Sequence, residues 1–165
     1  MRISISRGML PGTIVLFAAL HAPTAEAAIY RAHNITAPAI CEAVNAADDA
    51  LLRKQPLGMK NEGRRSVTVN CSLFVDSVTD SINILSIRTL PGTRLDRVSC
   101  TLLIGNAENA LEIPGEAPLD SDSSVSWSGV FRTNPQDMVS VTCVVPQGAS
   151  IRSLYLGERH YGNGL

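Results

Sequence analysis

The chain has 165 residues, a formal net charge of −1, 45% hydrophobic side chains and four cysteines. A balance so close to neutral leaves no electrostatic footprint for nucleic acid or an anionic membrane surface, and argues against both as partners. The length is that of a single domain with a real core.

Residues 1–27 follow the order of a secretory leader. Arg2 and Arg7 precede an uncharged apolar stretch over residues 9–20, and Ala25 and Ala27 frame an Ala-Glu-Ala cleavage site. The stretch is about a dozen residues, short of the roughly 20 that cross a bilayer. The pattern predicts a Sec-type signal peptide, a mature domain over residues 28–165 and a periplasmic or secreted location. No later apolar run has the length of a membrane span. Cys41, Cys71, Cys100 and Cys143 all fall in the mature part, and an even count behind a leader predicts two disulfides. No Cys-x-x-Cys pair occurs, so zinc and redox-dithiol chemistry lack their local signature. Neither a metal nor a cofactor is expected.

With Thr36 as N-cap and Pro38 in the first turn, Ile40, Val44, Ala47 and Leu51 fall at helical spacing. They predict a short N-terminal helix or loop, ended by Gln55-Pro56-Leu57-Gly58. Beyond it the period is two. Val67, Val69, Cys71 and Leu73 alternate with polar residues over 66–74. Ile82, Ile84 and then Ile87 form a second run whose register changes at Leu85 and Ser86, as a bulge would cause. Val98, Cys100, Leu102 and Ile104 make a third; Val125, Trp127 and Val130 a weaker fourth; Val139, Val141, Cys143 and Val145 a clear fifth. Residues 151–156 follow, ending at Gly157. Turn formers stand between them at residues 76–80, Leu90-Pro91-Gly92-Thr93, Pro114-Gly115, Asn134-Pro135 and Pro146-Gln147-Gly148. Short strands without intervening long helices predict a mainly β fold, a single-domain antiparallel β-sandwich, jelly-roll-like or related. Three disulfide pairings are open to four cysteines. Cys41 with Cys71 and Cys100 with Cys143 is preferred, because the first bridge would tie the less regular N-terminal segment to the sheet.

The segments Val69-Asn70-Cys71-Ser72-Leu73, Val98-Ser99-Cys100-Thr101-Leu102 and Val141-Thr142-Cys143-Val144-Val145-Pro146, followed by Ser150-Ile151, carry a likeness. In this order the chain resembles a loose group of uncharacterised small exported bacterial proteins that look like cysteine-bridged β-sandwiches. The likeness covers nearly all of the mature part and departs at Ser72, where such proteins often look like they carry Pro. It implies fold and compartment and brings no catalytic residue. An immunoglobulin topology does not follow, since Trp127 lies far beyond Cys71 instead of on the next strand.

For catalysis the sequence offers little. There is no Gly-x-Ser-x-Gly elbow, and Ser128 is an ordinary serine of a β-rich segment. The mature histidines are His33 and His160, and a hydrolase would need His160, Glu158 and a distant serine to converge. Asp48 and Asp49 are expected on a wet face, and Arg64-Arg65 near Glu62 in a solvated turn. Asp120-Ser121-Asp122-Ser123-Ser124 is oxygen-rich enough for calcium, yet lacks the glycine and terminal Glu of an EF-hand loop; a polar loop is expected. Asn34-Ile35-Thr36 and Asn70-Cys71-Ser72 match the glycosylation sequon, expected to be silent in a bacterial protein. Sugar recognition needs exposed aromatic rings beside planar polar groups. Trp127, Phe131 and Tyr155 are the candidate contacts, with Phe74 on the outward set of its strand and Tyr30 and Tyr161 near the termini. The expected function is an exported, non-catalytic structural or interaction module. The alternatives are a carbohydrate- or envelope-binding module, a hydrolase built from residues distant in sequence, and an inhibitor of a partner protein. A glycan or an envelope protein is the expected partner.

Overall fold

In the computed structural model, residues 29–75, 81–92, 96–106, 108–117, 123–131 and 137–160 are described. The leader lies outside them. In chain order the elements are β1 (Ile29–Thr36), α1 (Ala37–Ile40), β2 (Cys41–Ala43), a 3-10 turn (Ala46–Leu51), β3 (Leu52–Gln55), β4 (Gly58–Asn61) and β5 (Val67–Leu73). There follow β6 (Ser81–Leu90), β7 (Ser99–Gly105), β8 (Ala110–Glu116), β9 (Ser123–Phe131), β10 (Met138–Val145) and β11 (Ser150–His160).

These strands form two sheets, and every pairing in them is antiparallel. One sheet runs β3-β4-β11-β6-β9, with β1 also paired to β11. Since β6 occupies one side of β11, β1 and β4 lie end to end along the other. The second sheet runs β2-β5-β10-β7-β8. Alternation explains the central strands: Val67, Val69, Cys71 and Leu73 of β5, Cys100, Leu102 and Ile104 of β7, and Val139, Val141, Cys143 and Val145 of β10 are all buried. Ile82, Leu85, Ile87, Ile151, Leu154 and Leu156 meet them from the other sheet. The result is the expected antiparallel sandwich with one shared core.

Both disulfides join residues directly opposite each other on neighbouring strands of the five-stranded sheet. Cys41 bonds Cys71 across β2 and β5, and Cys100 bonds Cys143 across β7 and β10, each with a Cα separation of 4.0 Å. Such bonds persist in oxidising compartments. Neither bridge ties one sheet to the other. That task falls to the core, to Trp127 of β9, whose Nε1 donates to the Ile113 carbonyl of β8 at 3.0 Å, and to Asn61 of β4. The Asn61 Nδ2 donates to the carbonyls of Val145 and Arg65, both at 2.8 Å.

Several local expectations are corrected. The helix over residues 36–51 is one turn, α1, followed by a strand and a 3-10 turn. Cys41 must be extended to face Cys71 (φ −108°, ψ 135°), which stops the helix and leaves Val44 61% exposed instead of on a buried stripe. Thr36 makes no side-chain cap; Asn45 does, accepting from the Ala47 N–H at 3.1 Å. Gln55-Pro56-Leu57-Gly58 is the turn of the β3-β4 hairpin. Pro114-Gly115 is no turn but lies within β8, an edge strand, where a missing N–H is tolerated. Gly115 leaves room for Trp127, since a Cβ there would lie 3.1 Å from its Cζ2. The register change in β6 falls between Ile82 and Ile84, so that Leu85 points inward and Ile84 outward. β11 does not end at Gly157, because pairing with β1 carries it to His160.

Candidate functional site

Because side chains alternate across a sheet, burying Leu85, Ile87, Leu154 and Leu156 forces their neighbours to the outer face of the six-stranded sheet. The register then lines these neighbours up in rows across four strands. One row is Asn34 of β1, Tyr155 of β11, Ser86 of β6 and Ser126 of β9. The next is Thr36, Ser153, Arg88 and Ser124 on the same strands. Two residues of a strand separate the rows, about 7 Å. Between them lies a shallow cleft of about 310 Å³ lined by Asn34, Ser86, Arg88, Ser124, Ser153 and Tyr155, with Ser123 at its end.

Tyr155 is 37% exposed and is the one ring in this lining. Gly157, two residues on, lets Ile84 and the Tyr155 ring close over the strand: a Cβ there would meet Ile84 Cγ2 at 2.9 Å and Tyr155 Cε1 at 3.5 Å. The floor is organised by hydroxyls. Ser126 Oγ donates to Ser86 Oγ at 3.0 Å, and Ser124 Oγ lies 3.5 Å from Ser126 Oγ. No carboxylate or imidazole is among the described lining residues. Hydroxyls, one amide, one guanidinium and one phenol ring can bind a polar ligand and have no base with which to activate a serine.

A larger groove of about 780 Å³ opens on the other sheet. Thr68, Asn70, Ser72 and Thr142 form its floor, and Ile40, Ala43 and Val44 wall one side. Two of its polar groups engage each other, Thr142 Oγ1 donating to Asn70 Oδ1 at 3.2 Å. No aromatic side chain lines it.

Of the three aromatic candidates, Tyr155 lines the cleft. Trp127 does not: it is 5% exposed, packs between the sheets and spends its N–H on Ile113, so it is a core residue and no platform. Phe131 ends β9, and its side chain lies outside the described residues, as do those of Tyr30 and His160 and all of Tyr161. Phe74 is 83% exposed and directly follows β5, a strand of the opposite sheet from the cleft. Glu158 points inward with 1% exposure, and the imidazole beside it is His33 of β1, Nε2 to Oε2 3.5 Å. Ser128 faces outward on the other side of that sheet, which rules out a triad of Glu158 with Ser128. Asp48 is buried, not wet, and is held by Arg65; Asp49 is exposed and pairs with Lys54 at 3.3 Å. Asp120, Ser121 and Asp122 lie outside the described residues, and among those described no three His, Cys, Asp or Glu side chains converge on one point. Among the described residues no helix is long and apolar enough to cross a membrane.

Asn34, Ser86, Arg88 and Ser153 carry no motif; Asn34 stood out only as a sequon. Their signal is indirect, since each sits one position from a buried or partly buried residue of its strand.

No family model matches the chain, and no curated protein does. Among solved structures it is similar to TmCBM61 in complex with β-1,4-galactotriose, at 13% identity over 77% of this chain and 86% of that one, with a TM-score of 0.44. It is also similar to the Podospora anserina GH26-CBM35 β-(1,4)-mannanase, at 16% identity over 76% of this chain, with a TM-score of 0.42. This chain spans 27% of the mannanase.

Proposed function

We propose that this chain is an exported, non-enzymatic binding module and that the cleft on the six-stranded sheet receives a carbohydrate. The observation that carries the proposal is the half-exposed Tyr155 ring set among two rows of hydroxyl, amide and guanidinium groups. A sugar presents C–H faces that pack on an aromatic ring and hydroxyls that pair with planar polar groups at its rim. The larger groove has the volume and lacks the ring, so the smaller cleft is the better match. Glycoside hydrolysis needs two carboxylates flanking the bond, and the described cleft lining supplies neither. The leader pattern and the two disulfides support a periplasmic or secreted setting.

The test is calorimetric titration of the oxidised chain with a panel of oligosaccharides. Tyr155→Ala should weaken binding by about tenfold or more while leaving the melting temperature within a few degrees, as loss of one aromatic contact implies. Phe74→Ser, on the opposite sheet, should bind as the parent does. Equal affinity of the parent and Tyr155→Ala, or no binding across the panel, overturns the proposal.

A protein-docking role has its own observation. Phe74 and Met138 are 83% and 70% exposed at facing ends of β5 and β10. Capture of an envelope protein that Phe74→Asp abolishes would favour it.

A further inference from the structure

We infer that the chain carries a second site, apart from the Tyr155 cleft, in which Lys60 and Arg152 together hold the phosphoryl group of a phosphate monoester. The inference does not depend on the carbohydrate reading.

The site is a pocket of about 270 Å³ beside the β3-β4 hairpin, on the outer face of the six-stranded sheet. Met59 and Asn61 of β4 are buried, so Lys60 between them points outward. Lys60 stands directly opposite Ser150 of β11, and Arg152 lies two residues further along that strand. Such a diagonal separates the backbones by roughly 7–8 Å, within reach of long side chains. Two local features bring Arg152 there. A bulge in β11 falls between Ile151 and Ser153, where pairing with β6 skips Arg152, and it leaves Arg152 and Ser153 both outside the core. Gly58 makes room for the Arg152 stem, since a Cβ there would lie 3.3 Å from Arg152 Cα and 3.6 Å from its Cγ.

Both cations are exposed, no acidic residue lines the pocket, and among the described residues neither meets a carboxylate. Arg53 faces Lys60 from β3, but Glu62 takes up its charge at 3.2 Å. Like charges held close repel, so an anion between Lys60 and Arg152 relieves them. The Ser150 hydroxyl and Gln55 amide line the same pocket and add neutral donors. A phosphate monoester brings about two negative charges and three acceptor oxygens, which suits two cations with two neutral donors. A carboxylate has one charge and two oxygens and would leave one cation uncompensated. The net charge of −1 gives the chain no general field for anions, so recognition is local to this pair. Leu57, 78% exposed at the hairpin tip, borders the pocket; the ester is therefore either a small soluble one or a lipid headgroup whose apolar part meets Leu57.

The experiment titrates the oxidised full chain with glycerol 3-phosphate and with acetate, and sediments it with phosphatidylcholine vesicles with and without phosphatidic acid. Glycerol 3-phosphate should bind about tenfold more tightly than acetate, and more tightly at about pH 7.5 than at about pH 5, because its second proton leaves near pH 6. Lys60→Gln and Arg152→Gln should each weaken binding about tenfold, whereas Lys54→Gln, which removes the same charge from a lysine paired with Asp49, should not. Circular dichroism melts establish that the variants are folded. Binding of the soluble ester assigns the site to small phosphates. Sedimentation that requires phosphatidic acid, without binding of the soluble ester, assigns it to a headgroup, provided that the double variant of Lys60→Gln and Arg152→Gln abolishes it. Binding of neither, acetate binding as tightly as the ester, or binding that both variants leave unchanged overturns the inference.

Discussion

Asn61 has no exposed surface, yet its amide is satisfied on every side: Nδ2 donates to Val145 and Arg65 carbonyls, and Oδ1 accepts from the Gly63 N–H at 2.9 Å. Its own backbone N–H donates to Ala149 and its carbonyl accepts from Gly148, so one residue fastens β4 to the turn after β10. Asn61→Ala would leave buried partners unpaired and should cost about 2–3 kcal/mol in chemical denaturation. At Gly115 the expected effect is overpacking, because a Cβ would lie 2.6 Å from Val125 Cγ1; Gly115→Ala should cost about 1–3 kcal/mol, and Val125→Ala in the same chain should recover part of it. The inward setting of Trp127 was legible, since alternation with Val125 already placed both on one face. That Trp127 offers no surface to a ligand was not, because what covers an inward ring belongs to β8 in the other sheet. Asn61 is an asparagine in a short polar stretch, and nothing near it in sequence announces that its partners come from residue 145.

Among the elements, those with strict alternation over one buried face were the legible ones. β5, β7 and β10 read directly, because a central strand repeats its apolar side every second residue. β3 buries only Leu52, and β8 buries none of its residues fully, so neither shows a period; both are edge strands, and edges are specified by neighbours. The disulfides act at this scale. They close separations of 43 residues for Cys100–Cys143 and 30 for Cys41–Cys71, for which chain entropy gives roughly 3.5 to 4 kcal/mol each. Cys100→Ser or Cys143→Ser, at the centre of the sheet, should lower stability by about 2–5 kcal/mol in a thermal or denaturant melt. Loss of Cys41–Cys71 should act more locally. β2 is three residues long, and hydrogen exchange in Cys41→Ser should rise over residues 37–44 before the central strands open.

At the scale of the molecule, one core and, among the described residues, the side chains of Trp127 and Asn61 join the halves of the sandwich, so they should unfold together. Far-ultraviolet circular dichroism and Trp127 fluorescence should trace one coincident transition, and separated midpoints would mean that the sheets open independently. The sequence by itself determined the class of fold and the faces of its central strands, because a pleated strand turns alternate residues to opposite sides and water selects which side is buried. It also bore the mark of disulfide chemistry in its even cysteine count, though four cysteines left three pairings open. Strand order, the register of β6 on β11 and the assembly of the cleft were decided only by the tertiary structure. Asn34, Arg88, Ser124 and Tyr155 come from four strands, and they become neighbours only once pairing aligns β1, β11, β6 and β9. Hydrophobic alternation says that a residue faces outward; which other outward residues stand beside it is a property of register, and register is set between strands distant in the chain.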